Sequence, residues 1–171
     1  ALKTRYQAAI KQLQNEQIEL AFQGFHALTL DYPTYSGPYI NLGLIELKRK
    51  HTDEAEDLFK QVISVNPESF SGHHQLAILY RKKGQFDQAE SHYLSAKKIN
   101  PSNPEVHRNL AILYDLYMGK LPQALALYQT YQGLLSKPDP ALKGWIIDIK
   151  NRIKAQNRNL DKNIDSAITE N

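Results

Sequence analysis

Apolar residues recur at helical spacing along this chain in pairs of short runs, each pair split by a polar break. The breaks fall at Asn15-Glu16, Lys50-His51, Lys83-Gly84-Gln85 and Met118-Gly119-Lys120. Between pairs stand Tyr32-Pro33, Asn66-Pro67 and Asn100-Pro101, whose prolines are spaced by 34 residues. That period predicts four helix-turn-helix segments over residues 2–35, 36–69, 70–103 and 104–137. Capping chemistry agrees with the boundaries. Asn103-Pro104 and Asp139-Pro140 each read as an N-cap followed by a first helical residue. Thr52 opens a first turn rich in acid, Asp53 and Glu54, which suits the positive end of a helix dipole.

The period also fixes side-chain size. The third segment reads His73, Leu76-Ala77, Tyr80, Gly84, Ala89 and Tyr93. The second keeps Tyr39, Leu42-Gly43, Ala55 and Phe59; the first keeps Ala8-Ala9, Ala21 and Phe25; the fourth keeps Leu110-Ala111, Tyr114, Gly119, Ala124 and Tyr128. Small residues at Gly43, Ala77 and Ala111 face those at Ala21, Ala55, Ala89 and Ala124, letting paired helices approach closely. Phe25, Phe59, Tyr93 and Tyr128 fill the space between neighbouring pairs. This pattern resembles the tetratricopeptide-repeat (TPR) family. The resemblance implies an all-α, right-handed solenoid of about four helix-turn-helix repeats. Two departures stand out. Ala124 falls one place late, which predicts a lengthened turn near Tyr117–Lys120, with the closing proline displaced to Pro138. Arg5 occupies the place of a large residue in the first repeat, making its first helix a cut edge or an N-terminal cap.

From residue 138 the repeat stops. Leu142, Trp145, Ile146, Ile149 and Ile153 form one helical stripe, predicting a capping helix over 138–155, with Trp145 on Tyr128 and Tyr131. Residues 156–171 form a polar tail in which Leu160, Ile164 and Ile168 continue the spacing; a frayed end and a docking helix are both open readings.

In TPR proteins the first helix of each pair lines the concave face, so the resemblance carries candidate partner-binding positions by register. One place holds the amides Gln7, Asn41, Gln75 and Asn109; another holds the aliphatic Ile10, Leu44, Ile78 and Ile112; a third holds Tyr6, Ile40, His74 and Arg108. Amides both donate to and accept from a peptide backbone, and the aliphatic column offers apolar burial. Lys48, Arg81 and Lys82 lie at nearby inward places, with Glu105 and Asp115 opposing; a peptide or helix with acidic groups or a free C-terminal carboxylate suits them, and solvated helix charges are the alternative reading. The carboxylate-clamp members that hold chaperone tails need lysine, asparagine and arginine at set places. Tyr6, Ile10, Asn41, Ser71 and Gln75 match at Asn41 alone, and Ile40, Leu44, Gln75, Glu105 and Asn109 match fully at none. Chaperone-tail binding is therefore not expected.

Composition narrows the function further. A net charge of +3, mixed along the chain, is far from the clustered basic footprint of a nucleic-acid binder. With no cysteine there is no disulfide, thiolate site or thiol nucleophile. No apolar run approaches the ~18 residues of a membrane span. The first residue is Ala1 rather than Met, as in a trimmed or processed chain. His73-His74 point about 100° apart on a helix and do not converge on a metal ion. No phosphate loop, nucleophile elbow or HExxH is present, so neither enzyme, cofactor nor metal chemistry is expected. The expected function is a protein-binding scaffold, with self-association through the tail or the repeat edges as the alternative. Leu113–Pro122 with Gly144-Trp145-Ile146 is similar to TPR proteins of Gram-negative envelopes, which implies a bacterial, periplasmic assembly role.

Overall fold

The computed structural model describes the backbone of residues 1–169 and the side chains of residues 1–160. Helices α1 (Leu2–Gln14), α2 (Ile18–Asp31), α3 (Ser36–Lys48), α4 (Thr52–Val65), α5 (Phe70–Lys82) and α6 (Phe86–Ile99) belong to one compact unit, Ala1–Asn100. A second unit, Pro101–Asn171, holds α7 (Pro104–Leu113), α8 (Leu121–Leu134) and α9 (Pro140–Thr169). The described residues contain helices and turns and no strand.

In unit 1, α1 packs on α2, α3 on α4 and α5 on α6, while α2 and α4 pack on the first helix of the following pair. The core is the small–large alternation of the sequence. Ala21, Ala55 and Ala89 are fully buried beside Phe25, Phe59 and Tyr93. At Gly43 an added Cβ would stand 2.5 Å from the Phe59 ring, so the glycine makes room for that ring. Ala9 is the one buried residue of α1, and Arg5 pairs with Asp31 at 2.7 Å on the exposed side.

Each turn within a pair reverses the chain through one left-handed residue: Glu16 (φ 60°), Lys50 (φ 66°), Gly84 (φ 75°) and Gly119 (φ 65°). In the first three turns the next amide reaches back five residues: Gln17 to the Gln12 carbonyl, His51 to Glu46 and Gln85 to Tyr80. These bonds satisfy carbonyls that the helix end leaves open. A second recurrent bond ties each pair to the loop before it. Tyr39 Oη donates to the Pro33 carbonyl (3.2 Å), His73 Nε2 to Pro67 (3.0 Å) and, in unit 2, His107 Nε2 to Pro101 (2.7 Å). A third recurs on the surface of unit 1. Arg49 reaches Glu19, and Lys83 reaches Asp53, both at 2.7 Å. Beside the latter, Glu56 accepts from Lys83, Lys60 and Tyr80. Burial opposes ionisation of Glu56, but these three donors outweigh it and hold its pKa at about 2.

In unit 2 the extra residue sits earlier than the sequence predicts. The last turn of the first helix widens into a π-helical turn, Tyr114–Met118, and the Lys120 amide reaches back to the Tyr114 carbonyl. The insertion is absorbed as wider helix rather than longer loop. It leaves Tyr114 and Asp115 buried, with Leu116 and Tyr117 exposed. Asp115 binds Arg152 of α9 at 2.5 Å and accepts from Tyr128 at 3.4 Å. The caps stand where the sequence puts them: Asn103 Oδ1 accepts from the Glu105 and Val106 amides, and Asp139 Oδ1 from Ala141. Among the described side chains of α9, Leu142 and Ile149 are buried, and Trp145, half-buried, packs on Tyr128 (5.7 Å between centroids). Of the tail positions, Leu160 is exposed, and the side chains of Ile164 and Ile168 lie outside the described residues.

Candidate protein-binding face

The twelve candidate positions fall in two sets, nine in unit 1 and three in unit 2. In unit 1, Gln7 is exposed, whereas Tyr6, Ile10, Ile40, Asn41, Leu44, His74, Gln75 and Ile78 are half-buried. Tyr6 and Asn41 are bound to each other. Asn41 Nδ2 donates to Tyr6 Oη at 2.9 Å and to the Gly37 carbonyl at 3.0 Å. Both N–H groups of that amide are thus engaged within the protein, and its oxygen alone is left to face a ligand, as an acceptor. The Tyr6 ring meets Phe25 and Tyr35 edge-on, and burial pushes its phenol pKa up despite the Asn41 bond. His74 stacks on Phe70 at 5.2 Å and leans on Tyr93 at 6.0 Å.

Among the hollows of unit 1, two share Leu47. One, of about 370 Å³, is lined by Leu13, Leu44, Ile45, Leu47 and Lys48. The other, of about 360 Å³, is lined by Leu47, Ile78 and Leu79 with Thr52, Lys50, Lys82 and Lys83. Of the candidates, Leu44 and Ile78 line these hollows, while Ile10, Ile40, Asn41 and Gln75 do not. The hollows sit toward the turn end of the first helices, one helical turn further along than the register argument places them. Sequence reasoning missed Leu13 and Leu47, although they too stand 34 residues apart at one repeat place. Lys48 and Lys82 share the next place. A floor of leucine and isoleucine rimmed by ammonium groups suits a segment with apolar anchors and carboxylates.

In unit 2, Arg108, Asn109 and Ile112 are half-buried on α7. The Arg108 guanidinium lies 5.7 Å from the centre of the Trp145 ring and 3.8 Å from Glu105. Its Nε is buried without a hydrogen-bond partner. Arg108 therefore joins the first helix of this unit to the capping helix by a cation–π contact. Among the described residues, no group of three or more His, Cys, Asp or Glu is placed to hold a metal ion, and no helix is long and apolar enough to cross a membrane.

A family model described as tetratricopeptide repeat matches residues 46–113. Over that stretch the chain carries tetratricopeptide repeats. Solved structures share the fold. A thermophilic TPR protein of Thermus thermophilus is 26% identical, with a TM-score of 0.67 over 87% of this chain and 81% of that one. MamA is 16% identical, with a TM-score of 0.69 over 78% of each chain. MamA 41-end from Desulfovibrio magneticus RS-1 is 14% identical, with a TM-score of 0.75 over 90% of this chain and 85% of that one. No curated protein sequence matches. The fold is thus the all-α TPR solenoid class, the class of a protein–protein interaction scaffold.

Proposed function

We propose that this chain is a scaffold that holds a segment of a partner protein on the face formed by the first helices of unit 1, and that the segment carries apolar anchors flanked by carboxylates. The pair of apolar hollows joined at Leu47 and rimmed by Lys48, Lys50 and Lys82 carries this reading. Asn41 Oδ1 and the Gln75 amide, one repeat apart, are suited to bonding the segment's backbone. Capture of partners from a lysate of the source organism tests it, comparing the whole chain with Lys48→Glu/Lys82→Glu and with Leu44→Ala/Ile78→Ala. Loss of one partner by about tenfold or more in both variants, with weaker retention at high salt, is the expected result. Retention unchanged in both removes the reading.

A second reading follows from α9, a 30-residue helix with Ile147 and Leu160 exposed. It makes the helix a contact between copies of the chain. Sedimentation of the whole chain against a 1–155 truncation decides it: a dimer lost on truncation supports self-association, and a monomer throughout removes it. An envelope role rests on the resemblance of the fourth repeat and cap, and fractionation of source cells tests it.

A further inference from the structure

Two histidines of the third repeat, His73 and His92, meet in a way that the proposed peptide binding does not use. His73 on α5 and His92 on α6 face each other through their Nδ1 atoms at 2.9 Å. His73 Nε2 lies 3.0 Å from the Pro67 carbonyl, which has no proton to give. The Nε2 of His73 is therefore the donor, and in the neutral ring its Nδ1 is an acceptor. That leaves His92 Nδ1 as the donor to it. The second face of this arrangement is also closed: Tyr80 stacks on His92 with 5.5 Å between centroids.

We propose that His73 and His92 act as a one-proton latch, in which the pair holds with no added proton or with one, and a second proton breaks it and loosens the packing of α5 on α6 in mild acid. The proton count follows from the geometry. One added proton is accommodated at His92 Nε2, with the Nδ1–H···Nδ1 bond intact. A second proton must go to His73 Nδ1, where it meets the His92 Nδ1–H at 2.9 Å and sets two positive rings in contact. Charged groups on the helices packed here are engaged with other partners. On α4, Glu56 and Lys60 are bound to each other, and Glu56 also to the Tyr80 hydroxyl. On α5, His74 faces Phe70 and Tyr93, and Arg81 reaches the Tyr93 hydroxyl from the same helix. Burial holds the His92 pKa below its ordinary value, and a charge on one ring disfavours a charge on the other.

The sign of the effect is fixed by linkage. An unfolded chain takes both protons near about pH 6.5, whereas the folded pair resists the second. Stability is therefore full above about pH 6.5 and falls as the pH drops below it, by up to about tenfold in the folding constant per pH unit. The loss ends once the folded pair takes its second proton.

Titration of the imidazole Cε1–H signals of the whole chain by NMR, from about pH 8 to about pH 4, tests this without a variant. The pair is expected to titrate in two coupled steps, the second displaced to lower pH. Protection factors in α5 and α6, taken relative to the intrinsic exchange rate at each pH, should fall over the same range. In His92→Asn the second step should vanish and the loss of protection should shrink. Two independent titrations, or protection factors in α5 and α6 that are indifferent to mild acid, would overturn the proposal.

Discussion

The two units run the same motif with one residue of difference. In Ala1–Asn100 the period is 34 throughout, and each device returns at that interval: the left-handed turn residue at 16, 50 and 84, the surface pairs Arg49–Glu19 and Lys83–Asp53, and the loop bond made by Tyr39 and then His73. In unit 2 the loop bond is kept by His107, but the turn residue comes one place late at Gly119, and Met118 stands where Arg49 and Lys83 carry charge. The π-helical turn that absorbs the extra residue leaves a carboxylate, Asp115, buried under α9. Unit 1 is held by repeated apolar packing with ion pairs that stay within a helix pair or join neighbouring turns, including one on the buried carboxylate of Glu46, which binds Arg49 and His51. Unit 2 uses the buried Asp115 carboxylate to fix one long helix. A single inserted residue thus replaces stacking of like on like with a particular attachment, and it comes where the repeats give way to the cap.

Breaking each unit at its own device should separate them. Phe59→Ala empties the space beside Gly43 in unit 1 and should cost about 3–5 kcal/mol in urea unfolding, with α7–α9 amide protection changed least. Asp115→Ala leaves the Arg152 guanidinium without its partner. Because Arg152 is partly exposed and water takes up some of its charge, a cost of about 2 kcal/mol is expected, read as faster amide exchange in α9 and little change in α1–α6. Lys50→Gly should stabilise unit 1 by about 1 kcal/mol, since Lys50 holds a left-handed conformation that glycine adopts freely, and Gly84→Ala should cost about as much. Equal effects of Phe59→Ala and Asp115→Ala on both units would dissolve the distinction between them.

Much of this is legible in the sequence because a repeat tests itself. Four copies of one small–large alternation fix the helices, the turns and the buried aromatics, and Asn103 and Asp139 mark helix starts by chemistry that needs no tertiary partner. The site is legible in part. Leu44 and Ile78 follow from register and line the hollows, whereas Leu13 and Leu47 stand at a repeat place that the register argument does not reach. The type of residue at Asn41 allows it to donate and to accept, but its N–H groups turn inward to Tyr6 and Gly37.

The sequence by itself determined the helices, their pairing, the buried small–large columns and the presence of one surplus residue in the fourth repeat, since each depends on local spacing and side-chain volume. Only the tertiary structure decided where that residue went, that Asp115 meets Arg152, that His73 faces His92, and that the Asn41 N–H groups bond within the protein. Those outcomes depend on groups from different helices meeting at hydrogen-bond distance, and a spacing along one chain does not encode the side-chain rotations that bring them there.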